Sequence, residues 1–160
     1  MYSLNVPVPA DVSKLARGLA ANCLTATPRD RHTLVAKRLG DGGPSSLGRD
    51  VRRSLAGLDP FTARVTGVDV FRNPPTGRAP VAYLRVEAPQ LERLHAVLCD
   101  RFDPIEGIEG DDYVPHITVA RGGDADRLAG SEVSTEWTVD SLVIWAADYG
   151  EVAERISLPV

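Results

Sequence analysis

Cysteine, lysine and long apolar runs are all scarce in this sequence of 160 residues. The two cysteines, Cys23 and Cys99, lack CxxC spacing, which argues against a zinc ribbon, a thioredoxin-type site or a disulfide scaffold. No apolar run approaches the roughly 20 residues that a transmembrane helix needs. The N-terminal residues also lack the basic-then-apolar order of a signal peptide. We therefore expect a cytoplasmic protein without membrane contact.

The charge balance is acidic, with 22 Asp and Glu against 18 Lys and Arg, and a formal net charge of −4. Lys14 and Lys37 are the only lysines, so arginine supplies almost all of the positive charge. This balance argues against a protein that coats nucleic acid generally, but it leaves room for a local positive groove. The length is sufficient for a hydrophobic core without disulfides or structural metal. We expect one domain over residues 1–160.

An internal repeat organises the chain. The pattern LxVxxP occurs at residues 4–9 and again at residues 84–89. A helical pattern of apolar residues follows each copy, and a strand-like segment with a histidine follows each helix. These segments are residues 31–36, with His32, and residues 114–120, with His116. The sequence therefore predicts a strand, helix and histidine-bearing strand, twice over.

Further elements complete the prediction. We expect helices at residues 45–58 and 124–128, and strands at residues 62–71, 138–145 and 152–158. The result is an α+β fold with two lobes related by a pseudo-two-fold axis. Two antiparallel sheets would face a central cleft, with the helices on their outer faces.

Strand alternation assigns side chains to the two faces of each sheet. Because Ile117 and Val119 should face the helices, His116 and Thr118 should face the cleft. The same parity turns Tyr83 and Arg85 toward the cleft. His95 lies on the flank of an amphipathic helix, so we interpret it as a structural residue.

These cleft residues suit acid-base chemistry at phosphorus. Two imidazoles with ordinary pKa values near 6.5 can exchange the roles of proton acceptor and donor at neutral pH. Thr118 can hydrogen-bond a phosphate oxygen, and Arg85 can add a charge-assisted contact. Tyr83 is a candidate for base stacking. This chemistry requires no metal and no cofactor.

Residues 113–121, YVPHITVAR, resemble the second motif of the 2H phosphoesterase superfamily, in the group of 2′-5′ RNA ligases and RNA 2′,3′-cyclic phosphodiesterases. That superfamily carries two His-x-Thr/Ser-hydrophobic motifs on a bilobal fold. Residues 61–71, 81–86 and 91–102 follow the order of its central region. The resemblance thus covers most of the chain.

The first motif departs from the family pattern, because Thr33 follows His32 directly and Leu34 stands where threonine is expected. A β-bulge could turn the side chain of Thr33 to the same face as His32. Alternatively, only His32 acts in this half of the site. Counting back from Leu39-Gly40 without a gap would instead place Thr33 at the histidine position. We favour a one-residue insertion, since it keeps a histidine in each lobe.

The resemblance implies that His32 and His116 are the acid-base pair, that Thr118 binds phosphate and that Thr33 assists. The implied reaction opens the 2′,3′-cyclic phosphate of an RNA end or nucleotide to a 2′-phosphate, without metal, and runs in reverse as 2′-5′ ligation. We expect a monomer. Two alternatives stay open: a non-catalytic binder of nucleotides or RNA ends with a degenerate first motif, and a related enzyme acting on another phosphodiester.

Overall fold

The computed structural model describes residues 1–160 as three helices, two short 3₁₀ helices and nine strands. The helices are α1 (Ala10–Ala20), α2 (Pro44–Ser54) and α3 (Pro89–Cys99), with 3₁₀ helices at Gly110–Asp112 and Ala125–Leu128. The strands are β1 (Tyr2–Val6), β2 (Thr27–Pro28), β3 (Leu34–Gly40), β4 (Phe61–Phe71), β5 (Val81–Glu87), β6 (His116–Arg121), β7 (Thr135–Val139), β8 (Ser141–Ala146) and β9 (Glu151–Ser157). None of the helices combines the length and apolar character needed to cross a membrane.

Proline and glycine set the helix boundaries. Helices α2 and α3 have proline in the first turn, where its missing N–H costs no helical hydrogen bond. The helix predicted to reach Leu58 ends at Ser54, and Gly57 then takes a left-handed conformation with φ of +88°. A glycine in this conformation is a common helix terminator. The prediction therefore overran the end of α2 by one turn.

The strands form two antiparallel sheets. Sheet A has the order β3-β1-β8-β9 and sheet B has the order β2-β6-β5-β4-β7. In both copies of the repeat, the strand before the helix pairs with the strand that carries or follows the histidine: β1 with β3, and β5 with β6. The predicted α+β architecture of two antiparallel sheets is confirmed.

Each of the repeated helices packs against the sheet of the other half. Helix α1, which follows β1 of sheet A, packs on β6 of sheet B. Helix α3, which connects two strands of sheet B, packs on β3 of sheet A. A cluster of 33 buried apolar residues includes side chains from both sheets and all three helices. The two halves are intertwined through this core.

Two predicted strands have different boundaries in the structure. The run at residues 138–145 is divided at Asp140 into β7, at the edge of sheet B, and β8, inside sheet A. The strand predicted from Arg31 starts only at Leu34, so His32 lies in the connection that precedes β3. No proline or glycine marks either boundary in the sequence, and the pattern alone therefore missed them.

A buried ion pair joins β3 to the loop that leads into β6. Lys37 and Glu109 have side chains 0% and 1% exposed, with Nζ 2.7 Å from Oε1. Nζ also donates to the carbonyls of Arg38 and Asp103 at 2.9 and 3.3 Å. The Glu109 carboxylate accepts from the amides of Arg38 at 2.8 Å and Ile105 at 3.0 Å. Burial alone would raise the Glu109 pKa, but these hydrogen bonds hold it below its usual range.

His95 and Tyr113 complete the same connection. The Nδ1–H of His95 donates to the carbonyl of Ala36 at 2.7 Å, because Nε2 accepts from the amide of Gly110 at 2.9 Å. Tyr113 stacks on the His95 ring at 3.8 Å and donates its hydroxyl to the carbonyl of Val35 at 2.8 Å. Both ring nitrogens of His95 are thus engaged within the protein. Its predicted structural role agrees with these contacts.

We expect Lys37→Met to lower the free energy of unfolding by about 3–5 kcal/mol, because it leaves the buried Glu109 carboxylate without its counter-ion. The matched control is Arg64→Met, which breaks the exposed pair of Arg64 and Glu136 at 3.5 Å and should cost less than about 1 kcal/mol. Urea unfolding measures both values. Equal losses in the two variants would contradict the structural role of the buried pair.

Candidate functional site

His116 begins β6 and lies opposite Arg85 of β5. Its Nδ1–H donates to the carbonyl of Val114 at 2.7 Å, which leaves the Nε2 lone pair available as a proton acceptor. The rings of Phe71 and Tyr83 meet the imidazole edge-on, at 5.2 and 5.6 Å between centroids. The backbone thus sets the tautomer of His116, and two aromatic rings limit its orientation.

The surroundings of His116 favour its neutral form. Burial lowers the pKa, the hydrogen bond to the Val114 carbonyl raises it in part, and the charges of Arg38, Arg121 and Arg29 lower it further. Since the resulting pKa lies below the ordinary value of 6.5, the ring is predominantly unprotonated at pH 7. In this state it can act as a general base.

His32 lies between β2 and β3, in the segment that passes from sheet B to sheet A. The residue is partly exposed, but its Nε2 atom is buried and has no hydrogen-bond partner. Burial is the main cause that lowers the pKa of His32, and the charges of Arg17 and Arg29 lower it further. A buried nitrogen without a partner is uncommon in proteins. His32 differs in this respect from His95, whose two ring nitrogens both have hydrogen-bond partners in the protein.

The chain that leads to His32 runs beside β6, the strand that begins with His116. Strand β2 pairs with β6 through Thr27 opposite Arg121 and Pro28 opposite Ala120, and the amide of Arg29 then donates to the carbonyl of Val119 at 2.9 Å. This pairing ends at Arg29, and the chain bends at residues 30 and 31 before it reaches His32. The charge of Arg29 also lowers the pKa of both histidines.

Asp124 fixes the loop that enters this segment. Its carboxylate accepts from the amides of Leu24, Thr25 and Ala26 at 2.7 to 2.9 Å. These hydrogen bonds hold the pKa of Asp124 well below its usual range. A Cβ added to Gly123 would lie 2.5 Å from the backbone of Thr25, so only glycine permits this close approach.

The two threonines have different positions. Thr118 is 8% exposed and lies opposite Tyr83, on the same face of β6 as His116. Thr33 is half-buried and precedes β3. The irregularity in β3 nearest to it lies at Ala36, where the pairing with β1 shifts by one residue. Because Thr33 is outside the ladder, strand alternation does not determine its direction, and its role stays a prediction.

Arg85 and Tyr83 are both engaged within sheet B. Arg85 donates from Nε to the hydroxyl of Thr66 at 2.9 Å and from a terminal nitrogen to Asp69 at 2.8 Å. A groove of about 450 Å³ opens beside this arginine. Tyr83 stacks on Phe71 at 4.0 Å, and burial raises the pKa of its hydroxyl. Arg85 is therefore restrained by protein partners, whereas Tyr83 supports the ring of Phe71.

The sequence analysis missed the arginines that act most directly on the histidines. Arg29, Arg38 and Arg121 influence His116 and form no ion pair with a carboxylate. Arg121 could have been found as the last residue of the YVPHITVAR segment, but Arg29 and Arg38 depend on the tertiary arrangement. The structure groups no three His, Cys, Asp or Glu side chains in a way that could hold a metal ion.

Solved structures share this fold over almost the whole chain. The protein TT0787 of Thermus thermophilus has a TM-score of 0.71 at 22% identity, over 98% of this chain and 97% of that one. LigT of E. coli complexed with 3′-AMP has a TM-score of 0.61 at 15% identity, over 98% and 96%. LigT complexed with NADP+ has a TM-score of 0.60 at 16% identity, over 98% and 93%.

The family follows from the sequence match. The model of the 2′-5′ RNA ligase superfamily matches residues 26–151, a span that includes both His32 and His116. The chain belongs to the 2′-5′ RNA ligase superfamily, whose members are phosphoesterases and ligases of the 2H type. No curated protein matches the chain in sequence.

We expect Arg29→Gln to raise the pKa values of both His32 and His116, because it removes a positive charge that disfavours imidazolium at each ring. NMR titration of the imidazole resonances measures both. The pKa of His95, which does not depend on Arg29, is an internal control in the same spectra. A response from only one of the two rings would show that they do not share this charge.

Proposed function

We propose that the protein hydrolyses the 2′,3′-cyclic phosphate of an RNA end or nucleotide to a 2′-phosphate, without a metal ion. The observation that carries the proposal is the pairing of β2, which leads to His32, with β6, which begins with His116. Arg29, at the end of this pairing, lowers the pKa of both histidines. Family membership supports phosphoester chemistry. LigT, a structural neighbour, has been seen with 3′-AMP and with NADP+, which supports a nucleotide as the ligand.

In the proposed reaction, His116 is the general base. Its Nε2 lone pair accepts a proton from water, and the water oxygen attacks phosphorus. The bond between phosphorus and the 3′ oxygen breaks, and protonated His32 donates a proton to the departing oxygen. The products are a 3′-hydroxyl and a 2′-phosphomonoester. The same steps, with a 5′-hydroxyl in place of water as the attacking group, would form a 2′-5′ linkage and free the 3′-hydroxyl.

The remaining residues stabilise charge on the phosphate. We expect the hydroxyl of Thr118, which lies on the face of His116, to donate to a non-bridging oxygen. Arg38, Arg121 and Arg29 supply positive charge that no protein carboxylate neutralises. An anionic substrate also favours imidazolium, since a nearby negative charge raises a histidine pKa. Substrate binding would therefore supply the protonated His32 that the free protein disfavours.

A non-catalytic binder of nucleotides or RNA ends is the second candidate. It is favoured by the buried Nε2 of His32 and by the position of Thr33 outside β3. For catalysis, the imidazole of His32 must turn so that Nε2 reaches the substrate. For binding alone, His116, Thr118 and the arginines suffice.

Turnover of adenosine 2′,3′-cyclic phosphate in the presence of EDTA tests the proposal. We expect His116→Ala and His32→Ala each to lower kcat/KM by at least about 100-fold, the usual contribution of a general acid or base. Thr118→Val should lower it as well. Thr138→Val, at an exposed position of β7, is the matched control and should retain activity.

Three other outcomes separate the alternatives. Full activity in both histidine variants contradicts the proposed mechanism. Binding of adenosine 2′-monophosphate without turnover of the cyclic phosphate, weakened by Thr118→Val, favours the binder. Turnover of 2′-5′ oligoadenylate or an ADP-ribose cyclic phosphate in place of the nucleotide indicates a related enzyme with another phosphodiester substrate.

A further inference from the structure

A row of side chains crosses the cleft face of sheet A. Arg38 of β3 lies opposite Ser3 of β1, and Ser3 lies opposite Trp145 of β8. Directly opposed residues of antiparallel strands share a face, so these three side chains lie on one side of the sheet. Leu4 and Ile144, on the other face of these strands, are buried in the core. Arg31, the neighbour of His32, lies on Trp145, so this side faces the segment of His32. Trp145 is two strand spacings, or about 10 Å, farther along.

Arg31 covers the indole of Trp145. Its guanidinium carbon lies 4.2 Å from the ring centroid, and the residue is exposed. Arg31 forms no ion pair with a carboxylate and immediately precedes His32. Its guanidinium thus lies over an aromatic ring in an exposed position, beside a candidate catalytic residue.

Stacked arginine and tryptophan are suited to an RNA base. Proteins bind unpaired RNA bases by stacking them on aromatic rings or on guanidinium planes, and such stacking tolerates any base. Neither Arg31 nor Arg38 has a protein counter-ion, so both also attract the phosphate backbone. The surface thereby combines a stacking plane with positive charge within a chain of net charge −4.

A second aromatic surface lies nearer to the reacting phosphate. Phe71, supported by Tyr83, contacts the ring of His116 directly, and it is the closer of the two for the base of the terminal nucleotide. Trp145 lies on the other sheet, beside the segment of His32. One stacking surface thus lies beside His116 on sheet B and the other beside the segment of His32 on sheet A, which suits two successive bases.

We propose that Arg31 and Trp145 bind the base of the penultimate nucleotide of a single-stranded RNA end. This inference rests on the proposed function, because it assumes that the terminal phosphate lies at the histidines. It makes an oligonucleotide end a better ligand than a free mononucleotide. Binding at this surface would be selective for chain length and insensitive to base identity.

Isothermal titration calorimetry with the reaction products tests this proposal without requiring turnover. The probes are adenosine 2′-monophosphate and the dinucleotide ApA ending in a 2′-phosphate. We expect the wild-type protein to bind the dinucleotide at least about fivefold more tightly, the low end of what one stacked base contributes. Trp145→Ala and Arg31→Ala should abolish this preference and leave the affinity for the mononucleotide unchanged within about twofold.

Two further variants control the test. Trp145→Phe keeps an aromatic surface and should keep part of the preference, even if the alanine variant folds poorly. Arg93→Ala, on the exposed face of α3, removes an equal charge elsewhere and should keep all of it.

Equal wild-type affinities for the two probes would overturn the proposal, as would an unchanged preference in both Trp145→Ala and Arg31→Ala. A matching loss of mononucleotide affinity in Trp145→Ala would also overturn it, because the surface would then hold the terminal base. Preferential dinucleotide binding by a protein that does not hydrolyse cyclic phosphates would instead support this surface and refute the proposed hydrolysis.

Discussion

The unpaired edge of β3 is the constraint on which the site depends. β3 ends sheet A, so one side of its backbone has no neighbouring strand. Three side chains take the place of that strand: Glu109 accepts from the Arg38 amide, while His95 and Tyr113 donate to the carbonyls of Ala36 and Val35. All three come from α3 and from the loop that leads into β6.

The contacts that cover this edge of β3 also position the segments that carry the two histidines. Tyr113 is three residues before His116, so its hydrogen bond to β3 holds the start of β6 against sheet A. From the other direction, Asp124 holds the loop that leads through β2 to His32. Buried charge is costly unless it is fully paired, and the three acceptors around Lys37 and three donors around Glu109 meet that requirement. The histidine-bearing segments are thus held by polar contacts between the two halves.

Local patterns in the sequence predicted the repeated units, both sheets, the helices and the parity of β5 and β6. They did so because each unit buries one apolar face, and this periodicity is visible in the residues themselves. The pairing of Lys37 with Glu109, 72 residues apart, has no local signal. Similarly, the contacts of Arg85 with Asp69 and Thr66 have no local signal, and its contact with phosphate stays a prediction. Arginine side chains are long, and tertiary contacts determine their partners.

The net charge of −4 describes the protein as a whole and not its cleft. Arg29, Arg31, Arg38 and Arg121 have no carboxylate partner and lie near the histidines or Trp145, whereas Arg52 and Arg64 pair with glutamates on outer surfaces. These four unpaired charges lie where an anionic end would bind in the proposed function. This distribution fits recognition of a short anionic segment better than general attachment to nucleic acid.

A crystal structure with adenosine 2′-monophosphate bound tests the central claim most directly, since the claim is that both histidines act on one phosphate. The account predicts phosphate oxygens within about 3 Å of Nε2 of His116, Nε2 of His32 and the hydroxyl of Thr118. A phosphate bound on sheet B alone, with the imidazole of His32 beyond hydrogen-bonding reach, would contradict it.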